Sequence, residues 1–241
     1  KTEIENVLKS DPSNTLAEPL LKVIEDISNQ KIKKETATYL FKGEALNHLG
    51  VLDEAFTEYN NAISSDPSYH VSYDIRGIAN VYKKDIDNAI SDYSKAIELN
   101  PKDVVAYNRR GVAYKIKKEY DRAIENFNKA LEVTPEYVKA IYNRGNIYSI
   151  RNEHENAIAD YDRALQIYPL DENAYYNRGI AWYNKGMYNK AIEDYNKTIE
   201  INPKNSDAFT SRGLAYFAKG EYEQAIKDYS KAIELNPMSD S

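Results

Sequence analysis

The side chains that most often carry out chemistry in proteins are few in this chain and do not form a recognisable site. The sequence of 241 residues has no cysteine, which excludes disulfides, thiolate metal sites and cysteine nucleophiles. Its three histidines, His48, His70 and His154, fall at different places of the repeat described below, so they do not indicate a metal site or a proton relay. Glycine-rich phosphate loops, the HExxH zinc motif and the nucleophile elbow are also missing. We therefore predict no catalytic residues, no metal and no cofactor.

The charge and hydropathy of the chain exclude two further classes of function. A net charge of -6 and a pI near 5.3 argue against a nucleic-acid binder, which needs a basic face to displace phosphate counterions. Charged residues make up 29% of the chain and the mean hydropathy is -0.71, with no long apolar run and no stretch at the start that resembles a signal peptide. We expect neither nucleic-acid binding nor membrane insertion. The compartment stays open, with the cytoplasm favoured.

A repeat of 34 residues organises the chain from Thr36 onward. Glycine recurs at 43, 77, 111, 145, 179 and 213, and Ala55 and Pro67 recur at the same interval as far as Ala225 and Pro237. Self-similarity at this period indicates helix–turn–helix hairpins that bury their apolar faces by stacking on one another. In the repeat that begins at Val104, the pattern predicts helix A over Val104–Lys117 and helix B over Asp121–Val133.

Small residues and turn residues explain how each hairpin closes. Gly111 and Ala123 leave room for helix A and helix B to approach closely. The turn between the two helices carries glycine or asparagine in four repeats, and these residues tolerate the left-handed conformation at a helix end. Lys84 and Lys118 occupy the turn in the other two repeats.

A polar pattern runs through the same frame. An arginine precedes the glycine in five repeats and Lys42 takes its place in the first; the arginines are Arg76, Arg110, Arg144, Arg178 and Arg212. An acidic residue follows sixteen positions later in five of the six repeats, and Asn126 stands there in the remaining one. We predict that these pairs meet as structural salt bridges rather than as an active site.

With its glycines, alanines and prolines at this spacing, the chain resembles tetratricopeptide repeat proteins. The resemblance implies an all-α fold, a right-handed α-solenoid (superhelix) of six 34-residue helix–turn–helix repeats over residues 36–239. The repeat boundaries are 36–69, 70–103, 104–137, 138–171, 172–205 and 206–239. Residues 1–35 do not fit the frame, because Pro12 lies 55 residues before Pro67. We interpret them as an N-terminal helical cap.

Two helices are predicted within the cap. A short one carries Ile4, Val7 and Leu8, and a longer one has apolar residues at helical spacing from Leu16 to Ile27. A terminal element with one polar face is what a solenoid needs to cover its first apolar surface.

The resemblance also implies where a partner binds, because helix A side chains line the inner wall of such solenoids. At these places the first two repeats are mainly apolar, with Leu40, Phe41, Val71, Ile75, Ile78, Val81 and Tyr82, interrupted by Glu44 and Asp74. The next three repeats supply the predicted peptide-binding residues Arg109, Lys115, Lys139, Tyr142, Asn143, Asn146, Tyr176, Asn177 and Tyr183.

The chemistry of these nine residues suits an extended peptide. The three basic residues cluster although the protein is acidic, so an acidic segment or a terminal carboxylate would be complementary to them. Asn143 and Asn177 stand one repeat apart on equivalent turns, spaced to hold the amides and carbonyls of an extended backbone. The tyrosines offer apolar contact.

The best-known binding mode of the family, a carboxylate clamp for the C-terminal aspartate of heat-shock chaperones, is matched only in part. Asn146 and Asn177 occupy the two asparagine places of the clamp, whereas its lysine and arginine places hold Tyr142, Asp207 and Ser211. A clamp requires its positive charges. We therefore do not expect chaperone-tail binding.

Three hypotheses for function remain open. The first is a protein-interaction scaffold or adaptor that binds an extended segment in the groove, and it is not an enzyme. The second is the substrate-recognition or targeting arm of a larger enzyme such as a glycosyltransferase, phosphatase or methyltransferase. The third is a self-associating assembly scaffold, a homo-oligomer formed through the C-terminal repeat, where we expect Ile226, Tyr229 and Ile233 to lack a covering helix.

Overall fold

The computed structural model describes residues 17–236 and contains only helices in that range. The helices are α1 (Ala17–Ser28), α2 (Lys34–His48), α3 (Leu52–Ser65), α4 (His70–Tyr82), α5 (Ile86–Leu99), α6 (Val104–Ile116), α7 (Tyr120–Val133), α8 (Val138–Ile150), α9 (His154–Ile167), α10 (Glu172–Asn184), α11 (Tyr188–Ile201), α12 (Ser206–Ala218) and α13 (Tyr222–Leu235). The predicted all-α fold is confirmed. The short helix predicted at Ile4, Val7 and Leu8 lies outside the described residues, as does Pro237.

Each repeat is a pair of helices joined by a tight turn, as the spacing predicts. Helix A of the third repeat ends at Ile116, one residue earlier than expected, and helix B begins at Tyr120, one residue earlier. All six turns contain a residue with positive φ at the equivalent position. Lys84 and Lys118 adopt φ of 64° and 62° there, where other repeats place a glycine or Asn152. The turn geometry is therefore kept even where the residue type disfavours it.

The repeat glycines mark the closest approach of helix A to helix B. A Cβ atom added at Gly77 would lie 2.6 Å from Tyr93 Cε1, and one added at Gly111 would lie 2.6 Å from Phe127 Cε1. Both rings are buried beneath the hairpin. The predicted role of these glycines in close packing is confirmed, since any side chain there would overlap an aromatic ring.

The predicted ladder of salt bridges is also present. Arg178 donates through Nε and Nη2 to the two carboxylate oxygens of Asp194, at 2.8 and 2.6 Å. The same bidentate geometry joins Arg76 to Asp92, Arg144 to Asp160 and Arg212 to Asp228, and Lys42 pairs with Glu58. The arginines also reach backward: Arg178 Nη1 bonds to Asp162, in helix B of the preceding repeat. One side chain thus connects two successive helix B elements.

The helices form two compact units, an N-terminal unit that ends at Val133 and a C-terminal unit that begins at Thr134. In the N-terminal unit the largest core cluster gathers Val23, Leu40, Tyr59 and Ile75, each fully buried. In the C-terminal unit, Tyr161 and Tyr195 centre the clusters beneath successive helix A elements.

The helix predicted before the first repeat is present as α1, and it packs against helix A of the first two repeats. Its main contacts are with α2 and α4. Val23 is fully buried in the same cluster as Leu40 and Ile75, and Leu20 and Ile27 pack against that cluster. The Tyr69 hydroxyl donates to Asp26 Oδ2 at 2.9 Å. Leu40, Val71 and Ile75 of the predicted inner wall are therefore buried in the cluster that α1 joins, whereas Tyr82 is 59% exposed.

Candidate functional site

The predicted groove residues of the C-terminal unit lie on α8 and α10, the helix A elements of the fourth and fifth repeats, and α12 is helix A of the sixth. Asn177 donates from Nδ2 to the hydroxyl of Tyr142 and to the carbonyl of Asn173, the latter at 2.9 Å. The Tyr176 hydroxyl lies 3.2 Å from Ser211 Oγ. In both side-chain pairs the partners are 35 residues apart, so neighbouring helix A elements are tied together along this surface.

A row of tyrosines lies beside these amides. Tyr142 contacts the buried Tyr161 with ring centroids 5.8 Å apart, and Tyr176 contacts the buried Tyr195 at 6.0 Å. Tyr183 packs on Tyr188 at 5.4 Å. The outer ring of each of the first two pairs is only half-buried, and so is Tyr183. The inner rings fix the outer ones, which remain available for apolar contact with a ligand.

Hydrogen bonds orient the tyrosines of this row, and burial keeps their hydroxyls protonated. Tyr161 donates from its hydroxyl to Asn146 Oδ1 at 2.7 Å. Burial raises the pKa of Tyr142 and of Tyr161 above the ordinary tyrosine value. Asn143 stands one repeat before Asn177 at the equivalent position of α8 and is half-buried, whereas Lys139 is exposed. The surface therefore offers amides, hydroxyls and rings, with one exposed ammonium.

The N-terminal unit holds the other two basic candidates, and their surroundings differ from the expectation of open cations. Arg109 is only 8% exposed and forms a buried ion pair with Asp74. Glu18 of α1 brings its Oε2 to 3.8 Å from the same guanidinium. Lys115 is half-buried, and this burial lowers the pKa of its ammonium. The charge of Arg109 is thus compensated within the protein, so Arg109 does not provide an open positive site for a partner.

A step of 35 residues, one more than the repeat length, connects neighbouring helix A elements. Asp74 and Arg109 are related by this step, as are Tyr142 and Asn177. The signal was available in the sequence, because the first of these pairs joins opposite charges at one residue more than the repeat length. Pairs at this step lie along the inner wall rather than inside a hairpin.

One histidine of the described chain lies beside a carboxylate that has a structural role. His70 Nδ1 lies 2.8 Å from Asp103 Oδ2, and this carboxylate caps α6 by accepting from the amide of Ala106. Across residues 17–236, no three histidine, cysteine or acidic side chains converge in a way that would hold a metal ion. Over the same residues, no helix has the length and apolar character needed to cross a bilayer.

The repeat pattern is matched by known family models. The tetratricopeptide repeat model matches residues 104–137, 138–170, 172–205 and 206–239, and a second TPR repeat model matches 77–115. The chain belongs to the tetratricopeptide repeat family. The resemblance stated from the sequence is confirmed, and with it the repeat fold. The matches indicate no enzymatic family.

Solved tetratricopeptide repeat structures align with most of the chain. A crystal structure of MamA is 32% identical, with a TM-score of 0.64, and the alignment covers 67% of this chain and 94% of that one. YrrB, described as a TPR protein with an unusual peptide-binding site, is 26% identical with a TM-score of 0.65, covering 75% of this chain and 93% of that one.

A more distant structure shows the fold alone. Pseudomonas aeruginosa PilF has a TM-score of 0.72 at 16% identity and covers 86% of this chain and 94% of its own. No curated protein matches the chain.

Proposed function

We propose that this tetratricopeptide repeat protein is an interaction scaffold that binds an extended partner segment along the inner wall of its C-terminal unit. Repeats of this family typically mediate protein–protein interaction. The observation that carries the proposal is the row of half-buried tyrosines, Tyr142 and Tyr176, each seated on a buried tyrosine and hydrogen-bonded to the next helix A. A rigid surface with amides beside aromatic rings is typical of peptide-binding sites.

The amides fit the backbone of an extended segment. Asn177 uses both of its N–H groups on Tyr142 and Asn173, so its side-chain carbonyl is the group that would accept a backbone N–H of a bound segment. Asn143 occupies the equivalent position one repeat earlier. Lys139 supplies an exposed ammonium near the start of α8, which favours an acidic residue in the partner. The peptide-binding site described for YrrB adds support from a relative.

The C-terminal unit is the better candidate because helix α1 already covers part of the inner wall of the N-terminal unit. Helix α1 contacts both α2 and α4 and buries Leu40 and Ile75. In the same unit, the positive charge of Arg109 is compensated by Asp74. We therefore assign partner binding to Lys139, Tyr142, Asn143, Asn146, Tyr176, Asn177 and Tyr183, and we do not rest it on Arg109 or Lys115.

A screen of a displayed peptide library tests this function. The intact protein and a variant with Asn143→Ala and Asn177→Ala are screened side by side, and selected peptides are measured by calorimetry. The matched control is Asn189→Ala, an exposed asparagine on α11. We expect the double variant to weaken binding about tenfold or more and the control to leave it unchanged. Peptides that bind all three proteins equally would place the interface elsewhere.

A second candidate function, self-association, is favoured by the last hairpin. Ile226 is 64% exposed, whereas the equivalent Ile192 and Ile158 are 8% and 6% exposed because the next repeat covers them. Ile233 is 58% exposed on the same helix. Light scattering of the intact protein and of Ile226→Asp across a concentration series tests this version. A mass that stays monomeric at high concentration for both proteins would contradict it.

A further inference from the structure

Across the described helices, the third repeat is the one repeat in which the basic residue of the ladder faces a neutral side chain instead of a carboxylate. In four repeats the arginine donates from both Nε and Nη2 to an aspartate, as Arg212 does to Asp228 at 2.8 and 2.6 Å. In the third repeat, Arg110 faces Asn126 instead, and its Nε donates to Asn126 Oδ1 at 2.7 Å. Its Nη1 donates to Ser94 Oγ at 3.0 Å. Both partners are neutral, so this guanidinium meets no carboxylate among the described residues.

The exchange of aspartate for asparagine also leaves one edge of the guanidinium without an acceptor. The second polar atom of the Asn126 side chain is the amide nitrogen Nδ2, which donates to the carbonyl of Arg122 at 2.7 Å. The place of the second carboxylate oxygen is therefore taken by a donor group. Arg110 Nη2 has no hydrogen-bond partner in residues 17–236, whereas Nη2 of Arg178 bonds to Asp194 at 2.6 Å.

A cavity of about 230 Å³ lies at this site. It is lined by Arg110, Tyr114, Arg122, Glu125, Asn126 and Lys129. Three of these residues are cations and one is a carboxylate. Arg122 stacks on the Tyr114 ring at 4.5 Å and bonds to Glu119, and Lys129 bonds to Glu132. Both are pairs between residues three apart in sequence at the surface, which contribute little and exchange readily.

We propose that this cavity binds a carboxylate side chain of an acidic partner peptide. The incoming carboxylate accepts from Arg110 Nη2, the donor that an aspartate of the chain itself satisfies in four other repeats. Arg122 and Lys129 add positive charge at the rim, and Glu125 opposes it. The site lies between α6 and α7 within one hairpin, so it is separate from the inner wall of the C-terminal unit and does not depend on the function proposed there.

The test is an NMR titration of the intact protein that follows the arginine Nε–H and backbone amide signals. The probe is acetyl-Glu-Glu-Glu-amide, with acetyl-Gln-Gln-Gln-amide as the neutral twin and inorganic phosphate as the small-ion arm, all at constant ionic strength. We expect saturable shifts at Arg110, Asn126 and Lys129 with the acidic peptide alone.

Variants decide whether the shifts arise at the proposed site. Asn126→Asp restores the internal carboxylate, so we expect affinity for the acidic peptide to fall about tenfold or more while the melting temperature stays equal or rises. Glu125→Gln should tighten binding. Lys129→Gln should weaken it, and Lys231→Gln, the same substitution three repeats later, should leave it unchanged.

Three results would overturn the proposal. One is the absence of saturable shifts in the unmodified protein. Another is equal binding by Asn126→Asp and the unmodified protein. The third is a response to phosphate without a response to the acidic peptide, which would make the cavity a site for small ions rather than for a carboxylate side chain.

Discussion

Asp74 of α4 and Arg109 of α6 form a buried ion pair across 35 residues of sequence, with side chains 6% and 9% exposed. Removing one partner leaves the other charge without compensation in the core. We expect Arg109→Met to lower the free energy of unfolding by about 3 to 5 kcal/mol. The double variant Asp74→Leu with Arg109→Met should recover most of this loss. Denaturant unfolding of the three proteins checks the prediction, and a single variant that costs less than about 1 kcal/mol would contradict it.

The two lysines with positive φ are sites where glycine should stabilise the protein. Lys84 and Lys118 are exposed and adopt φ of 64° and 62°. The left-handed conformation costs a residue with a Cβ roughly 1 to 2 kcal/mol, and glycine avoids this cost. Part of that gain is offset because glycine has greater conformational entropy in the unfolded chain. We expect Lys84→Gly and Lys118→Gly each to raise the free energy of unfolding by about 0.5 to 1 kcal/mol. Gly186, with φ of 74°, offers the reverse test, and Gly186→Ala should lower the free energy of unfolding. Urea unfolding of all three variants measures these changes.

The six repeat glycines should differ in their tolerance of alanine. At Gly77 the new Cβ would lie 2.6 Å from the Tyr93 ring, whereas at Gly145 the nearest atom of Tyr161 is 3.1 Å away. We expect Gly77→Ala to destabilise by about 1 to 3 kcal/mol through overpacking, and Gly145→Ala to cost less. Thermal unfolding of the two variants tests the order. The reverse order would mean that the rings move more easily than their burial indicates.

Alkaline pH should unfold the protein through its buried tyrosines. Burial raises the pKa of Tyr59, Tyr93 and Tyr195 above the ordinary value of 10.0. The folded state therefore holds phenol protons that the unfolded state releases, so stability is complete below pH 10 and declines as pH rises above it. Each such tyrosine contributes a loss of about 1.4 kcal/mol per pH unit. Unfolding free energies between pH 8 and 11.5 should show this decline, and Tyr93→Phe should reduce its slope.

Helix α1 should detach when its central residue is made polar. Val23 is fully buried against Leu40 and Ile75, so Val23→Asp would bury an unpaired charge. We expect hydrogen exchange of the α1 amides to lose protection while α8 to α13 keep theirs. Lys31→Asp, at an exposed site just after α1, serves as the control. Unchanged protection of α1 in Val23→Asp would contradict the packing described for this helix.

Much of the fold followed from the sequence because one frame is repeated six times. The glycine at 111 and the aromatic residue at 127 recur together, so close packing inside a hairpin is overdetermined. The basic and acidic residues of the salt-bridge ladder from Arg76 to Asp228 likewise recur at a fixed spacing, so their pairing was also predictable. Contacts between repeats were harder to foresee, since the pair of Asp74 and Arg109 occurs at a step that differs by one residue from the frame.

The positions of the groove residues could be predicted from the sequence, but which of the basic residues are exposed could not. Arg109 and Lys139 read alike in sequence, yet one is buried against Asp74 and the other is exposed. Only the position of α1 and the local burial separate them. The sequence also gave no sign that α1 packs against α2 and α4, because its apolar spacing is equally compatible with covering the end of the first hairpin.

The backward reach of the ladder arginines has a consequence for how the protein responds to force or heat. Arg178 donates hydrogen bonds to Asp194 in its own repeat and to Asp162 in the preceding repeat. Unfolding of one hairpin therefore also breaks a hydrogen bond to its neighbour. Adjacent hairpins of the same compact unit should for this reason unfold together.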